Sequence, residues 1–194
     1  MTRASRRPDL LTELVEVMSR DGFAGVTLDE LAGQLRCSKT TLYGIAASKE
    51  QLVVKVVIEF FRRAAQRIED KLATSSGTVE RVSGYLDAVA AELGRASRSF
   101  MLDIAAFEPA RQVYERNTQL AAARVRTLVE EGFAAGSIRG VDAVFVGTAL
   151  TVVMKSISRG EIAATTGLTD SDAYKRLTEI VLYGIAEHRS PKRP

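Results

Sequence analysis

Very little in this chain can carry covalent or redox chemistry. Its 194 residues include one cysteine, one histidine and no tryptophan. The lone cysteine, Cys37, excludes an internal disulfide and suits the reducing cytoplasm. The lone histidine, His188, has neither the cysteine nor a pair of acids close to it in sequence. A P-loop, a glycine-rich dinucleotide turn, an HExxH pair and metal-spaced Cys/His clusters are all missing. No enzyme activity, cofactor or metal is therefore expected, with isolated carboxylates such as Asp103 and Glu108 left open. No apolar run approaches the roughly 20 residues that span a bilayer. The N-terminus MTRASRRPDLL is basic but lacks the apolar stretch of a signal peptide. A cytoplasmic protein without a membrane partner is the expectation. Proline is rare, at four residues, and strand-like alternation is absent, which leaves helices almost everywhere.

What is present fits a folded helical protein. Hydrophobic residues make up 46% and charged residues 26%, enough to bury a core. The net charge of +3 permits a nucleic-acid partner without demanding one, because such affinity needs a local basic face more than a high total. Helical spacing starts at about Pro8, with Leu10, Leu11, Leu14, Val15 and Met18 on one face and Gly22 at the end. Thr27 with Glu30 forms a capping box for a short helix that turns Leu28, Leu31, Ala32 and Leu35 inward. A turn at Arg36-Cys37 follows, and Ser38 caps a second short helix. Ser48 with Gln51 is a second capping box. It opens a long helix whose apolar face is Leu52, Val53, Val56, Val57, Phe60, Phe61, Ala64 and Ile68. The break TSSG at Thr74 to Gly77 is followed by helices over roughly 78–95, 98–107, 109–135, 141–159 and 171–188. The predicted architecture is all-α, about nine helices. A three-helix segment over residues 1–52 precedes a helical domain over 53–194.

Two short capped helices across a tight turn are the grammar of a helix-turn-helix, whose second helix can enter a DNA major groove. Leu42 spaces inward, so Lys39, Thr40 and Tyr43 lie on the other side, with Thr41 at the border. Lys39 can neutralise a phosphate, and the threonines can reach phosphate or base edges. Tyr43 offers a hydroxyl and a flat ring. Lys49 and Thr27 sit at helix starts, where backbone N–H groups already favour an anion. Ser38 belongs to the same polar set. Taken singly, each of these residues also fits a solvated position on a helical bundle. The basic residues Arg3, Arg6 and Arg7 suit either a minor-groove arm or a solvated tail, and His188 to Arg193 suit a solvated tail.

Residues 8–55 resemble the DNA-binding domain of the tetracycline-repressor (TetR) family. The pieces that carry the resemblance are Asp21-Gly22-Phe23, Thr27 to Ala32, Ser38 to Tyr43 and Ser48 to Leu52. The resemblance implies a homodimer on a palindromic double-stranded operator, usually a repressor, released when a small molecule enters the C-terminal domain. One departure stands out. The family usually carries an aromatic or histidine pair and a proline after the tyrosine, where this chain has Gly44-Ile45-Ala46-Ala47. Ile45 cannot donate to a phosphate, and Gly44 weakens its helix by roughly 1 kcal/mol relative to alanine. A helical protein-interaction module without DNA is the competing reading.

The C-terminal half reads as packing and a cavity. Val141 to Ile157 is apolar on most of its circumference, so it must be covered on every side. Its expected partners are the last helix, through Tyr174, Leu177, Ile180, Val181 and Ile185, and the same two helices of a second chain. That gives a dimer interface over about 141–188, with burial inside one monomer as the alternative. Dimerisation suits a short reading helix that must grip half-sites about 34 Å apart. For an unidentified effector the candidates are Arg98, Met101, Ile104, Phe107, Arg111 and Tyr114, with Phe100 and Leu120 beside them. Each of these also fits a core or surface role.

Overall fold

A computed structural model describes residues 6–73, 77–136 and 142–185 of the chain. Arg3 of the basic arm, Thr74 to Ser76 of the predicted break, Val141 at the start of a predicted helix, and the tail from His188 to Arg193 lie outside the described residues. Among the described residues there are ten helices and no strand, as the rarity of proline and the absence of alternation indicate. They are α1 (Arg6–Asp21), α2 (Leu28–Gln34), α3 (Lys39–Tyr43), α4 (Lys49–Leu72) and α5 (Thr78–Leu93), followed by α6 (Arg98–Ala106), α7 (Glu108–Ala134), α8 (Ala143–Ser158), α9 (Glu161–Thr166) and α10 (Asp170–Ile185). The sequence count of about nine misses α9. That helix has six residues between Gly160 and Gly167, both left-handed at φ +74° and +73°. A segment so short cannot display a helical period.

The chain packs as two compact units. One comprises the chain up to Ala65 together with Gly94–Arg116, and the other comprises Gln66–Leu93 and the chain from Asn117 onward. A division at residue 52 follows the helix-turn-helix motif. The packing divides the chain along other lines, because α6 and the start of α7 join α1 to α3 and most of α4.

In the first unit α4 turns Leu52, Val53, Val56, Val57, Phe60, Phe61 and Ala64 inward, each under 7% exposed. Leu10, Leu14, Val15 and Met18 of α1 are buried as well. The centre is aromatic. Phe100 of α6 is fully buried and meets Phe23 and Phe60 edge-on, with ring centroids 5.8 and 5.2 Å apart. Phe61 stacks on Tyr114 of α7 at 5.1 Å. Hydrogen bonds tie α6 to the end of α1. The Ser97 N–H donates to the Ser19 carbonyl at 2.8 Å. Asp103 accepts from the amides of Phe23 and Ala24 at 2.5 and 2.8 Å. Gly22, at φ +83°, ends α1 there, and a Cβ on it would fall 2.7 Å from the Asp103 carboxylate. Only glycine meets both conditions. On α4, Arg62 with Arg63 beside it holds the Glu59 carboxyl down to about 2, and Arg63 also donates to the Thr12 hydroxyl.

In the second unit α5 lies along α10. Val82, Leu86 and Val89 are buried on α5, and Tyr174, Leu177 and Val181 on α10. The Ser171 hydroxyl donates to the Ala90 carbonyl at 2.9 Å. Burial pushes the Tyr174 hydroxyl well above the usual tyrosine range. Tyr85 is pushed up to about 12, chiefly by burial and further by Glu69. Arg67 pairs with Glu92, and Arg124 with Glu69. Asp142 caps α8 through the Phe145 amide. On α8 Gly147 is buried, and a Cβ there would approach the Arg126 side chain of α7 to 3.2 Å, a tight fit that a small shift of the arginine would have to relieve.

The apolar circumference of α8 is covered on one side only. Leu150, Met154 and Ile157 are buried, while Val144, Phe145 and Val152 are 58–72% exposed. With Thr148 and Ala149, also exposed, they form one stripe at i, i+1, i+4, i+5 and i+8. On α10, Tyr174, Leu177 and Val181 point inward, whereas Ile180 and Tyr183 are 68% and 77% exposed. Ile180 therefore does not join Tyr174 in the core.

Candidate nucleic-acid interface

The helix-turn-helix is built by its caps. The Thr27 hydroxyl accepts the Glu30 amide at 3.2 Å, and Glu30 returns to the Thr27 amide at 2.7 Å. These bonds, the Thr27 amide first, hold the Glu30 carboxyl below the usual range. α2 buries Leu31 and Ala32 and leaves Leu28 and Leu35 half-buried. At its end the Cys37 amide bonds the Ala32 carbonyl and the Arg36 amide bonds the Gly33 carbonyl. That pairing is a Schellman ending, and it places Arg36 in the left-handed region at φ +48°. Glycine usually occupies that position. Arg36→Gly should therefore stabilise the fold by about 1 kcal/mol, a rise of roughly 2–4 °C in a thermal melt. An unchanged or lower midpoint would mean that the arginine side chain holds the turn. Cys37 is half-buried in that turn.

Ser38 then caps α3 by accepting the Thr41 amide at 3.1 Å, and its hydroxyl lies 2.8 Å from the Thr41 hydroxyl. Leu42 is 1% exposed, so the short helix is pinned by one residue. Lys39, Thr40, Thr41 and Tyr43 all stand in solvent. The Lys39 ammonium sits 2.9 Å from Asp29 of α2, and that bond with its charge raises the lysine above its ordinary range. Gly44 closes the helix in a right-handed conformation. Gln51 donates its amide to Ser48 at 3.3 Å, but its side chain returns to the Ala47 amide, one residue ahead of the predicted partner. Lys49 donates to the Ala24 carbonyl at 3.2 Å.

Thr27, Ser38, Lys39, Thr40, Thr41, Tyr43 and Lys49 thus all lie on α2, α3, the start of α4 and their caps. Three further groups escaped the sequence reading. Lys55 donates to the Ile45 carbonyl, which puts an ammonium beside the residue that cannot donate to a phosphate. Asp29 is the counter-ion of Lys39, and Asp103 is the clamp on the loop that leads to Thr27. All three act between residues ten or more positions apart, so local spacing carries no sign of them.

The effector candidates fall in the first unit. Ile104 and Tyr114 are buried, Met101 and Phe107 are half-buried and Arg98 is exposed. Phe107 meets Phe23 edge-on at 6.3 Å. Arg111 pairs with Glu108 and Glu115 along its own helix. Leu120, in the second unit, is 67% exposed. Among the described residues no cluster of His, Cys, Asp or Glu could hold a metal, and no helix is long and apolar enough to cross a membrane.

Residues 10–56, which hold both helices of the motif, match the family model for bacterial regulatory proteins of the tetR family. This segment is a DNA-binding domain of the tetR type. That domain makes the chain a DNA-binding transcriptional regulator. No curated protein matches the sequence. Solved structures share the fold across nearly the whole chain. A protein from Saccharomonospora viridis described as a transcriptional regulator, in complex with choline, is 16% identical. It covers 96% of this chain and 100% of its own, with a TM-score of 0.72. A TetR transcription regulator from Haloarcula marismortui is 12% identical, covering 95% and 100%, with a TM-score of 0.71. The regulator FadR from Bacillus subtilis, in complex with stearoyl-CoA, is 14% identical, covering 92% and 98%, with a TM-score of 0.63. The tetR-type fold therefore extends well beyond the matched segment.

Proposed function

We propose that this regulator binds a palindromic operator as a homodimer and leaves it when a small molecule binds outside the helix-turn-helix. The observation that carries the DNA side is α3 itself. It buries Leu42 alone and holds Lys39, Thr40 and Tyr43 out in solvent, the arrangement a reading helix needs. Lys39 and Lys49 serve phosphates, while Thr40 and Thr41 read base edges. Dimerisation through α8 and α10 is supported by their exposed apolar stripes, since contiguous surfaces of this kind mark interaction sites. The protein works in the cytoplasm as a binder of DNA, not as a catalyst.

Effector binding is supported by one group in the second unit. The Thr118 hydroxyl is buried and has no hydrogen-bond partner among the described residues. A polar atom of a bound molecule would satisfy it. The structural neighbours with choline and stearoyl-CoA supply precedent for bound small molecules on this fold. In the first unit, Arg98, Met101, Ile104, Phe107, Arg111 and Tyr114 are proposed as effector contacts separately from Thr118.

Selection from a pool of genomic fragments should return a short palindrome whose affinity falls steeply with salt. Lys39→Ala should weaken binding to every sequence alike and flatten the salt slope by about 1. Thr40→Ala should change the preferred sequence. Selection that enriches nothing over random DNA at low salt would leave the protein-interaction reading in place of this one.

A further inference from the structure

The cation on α3 already has a carboxylate partner. Lys39 opens α3 and Asp29 lies in the first turn of α2, yet the two side chains meet at 2.9 Å. Both are open to solvent, the lysine 44% and the aspartate 74% exposed. Among the described residues Asp29 has no other hydrogen-bond partner, and the capping work at this helix start is done by Thr27 and Glu30. The first turn of α2 thus carries one carboxylate that closes its own cap and a second that reaches across to the reading helix. A phosphate approaching Lys39 competes with Asp29 for the ammonium and is repelled by the aspartate at short range.

We propose that Asp29 is a built-in competitor for the Lys39 ammonium, which lowers the affinity of the reading helix for DNA in general. The inference rests on α3 being a DNA-binding element. Contacts to phosphate carry no sequence information, so they strengthen binding to every site. A competitor at such a contact holds down binding to random DNA, while base-edge contacts by neighbouring side chains retain their discrimination. The other reading of Asp29 is a first-turn acid that stabilises its helix through the helix dipole. That role would alter stability and have no coupling to Lys39 on DNA.

A double-mutant cycle separates these readings. Full-length wild type, Asp29→Asn, Lys39→Ala and the double variant are titrated against a fluorescein-labelled duplex of mixed random sequence over a range of salt. Glu16→Gln, an exposed site on α1, controls for the loss of one negative charge. Asp29→Asn should tighten binding about three- to tenfold at low salt, the scale of an exposed ion pair plus one short-range repulsion, and steepen the salt slope by up to about 0.9. The gain should vanish in the Lys39→Ala background, and Glu16→Gln should move affinity by less than about twofold. Equal gains with and without Lys39, or no gain at all, would overturn the competitor role while leaving DNA binding intact. Absence of binding by every variant would overturn both.

Discussion

Replacing Phe145 by glutamate should leave the protein monomeric. Phe145 is 72% exposed in the first turn of α8, flanked by Val144 and followed one and two turns later by Thr148, Ala149 and Val152. Such a stripe of large apolar residues with small ones in its middle suits two helices that approach closely. The exposed Ile180 and Tyr183 of α10 extend the apolar surface of the same unit. A carboxylate at Phe145 would have to be desolvated without a partner in any interface built on this stripe, and that cost falls on the dimer alone. The monomer loses little, because the side chain already stands in solvent. Light scattering or sedimentation over a concentration series should therefore show half the wild-type mass, with a thermal unfolding midpoint close to that of a diluted wild type. Operator affinity should fall by about a hundredfold or more, since the second half-site no longer benefits from the first. Ile180→Glu should act in the same way. A variant that remains dimeric would place the interface elsewhere.

Long faces are legible in this sequence and cross-chain contacts are not. All eight predicted inward positions of α4, from Leu52 to Ile68, are buried, because a 24-residue helix repeats its period often enough to be read. The caps at Thr27 and Ser38 are legible because they are local chemistry, set by residues three apart. Asp142 escapes only because a helix starting at 141 was expected in its place. α9 escapes because six residues show no period. Which way Ile180 faces is not legible for a different reason. Periodicity identifies which positions of an amphipathic helix are apolar, but α8 and α10 have apolar residues on more than one side, and burial then depends on what covers each face. The same limit applies to the DNA-facing site. Its polar residues are visible in sequence, whereas Asp29 on Lys39, Asp103 on the loop after α1 and Lys55 at Ile45 arise from tertiary approach. The effector candidates are ambiguous in another way: aromatic and apolar side chains such as Phe100, Ile104 and Tyr114 serve both cores and pockets.

Phe100→Ala decides between those two roles. Phe100 is fully buried, and its ring meets Phe23 from the loop after α1 and Phe60 from α4. If this ring is core, its removal loses burial and leaves a cavity beside Phe23 and Phe60 that cannot fully collapse. The expected cost is about 3–5 kcal/mol, which lowers the melting midpoint by roughly 6–20 °C for a chain of this size. Phe107→Ala supplies the comparison, because Phe107 is half-buried and touches Phe23 only at its edge; its cost should be less than half as large. If Phe100 instead lined a ligand cavity, its outer face would already lack neighbours, and truncation would cost little more than at Phe107. The loss should also reach DNA. Phe23 follows Gly22, whose loop is clamped by Asp103 and runs on to Thr27, the cap of α2. Phe100→Ala should thus weaken DNA binding well below the melting midpoint, with the salt slope unchanged because no phosphate contact is removed. A stability loss with full DNA affinity would show that the aromatic centre supports the fold without positioning the reading helix.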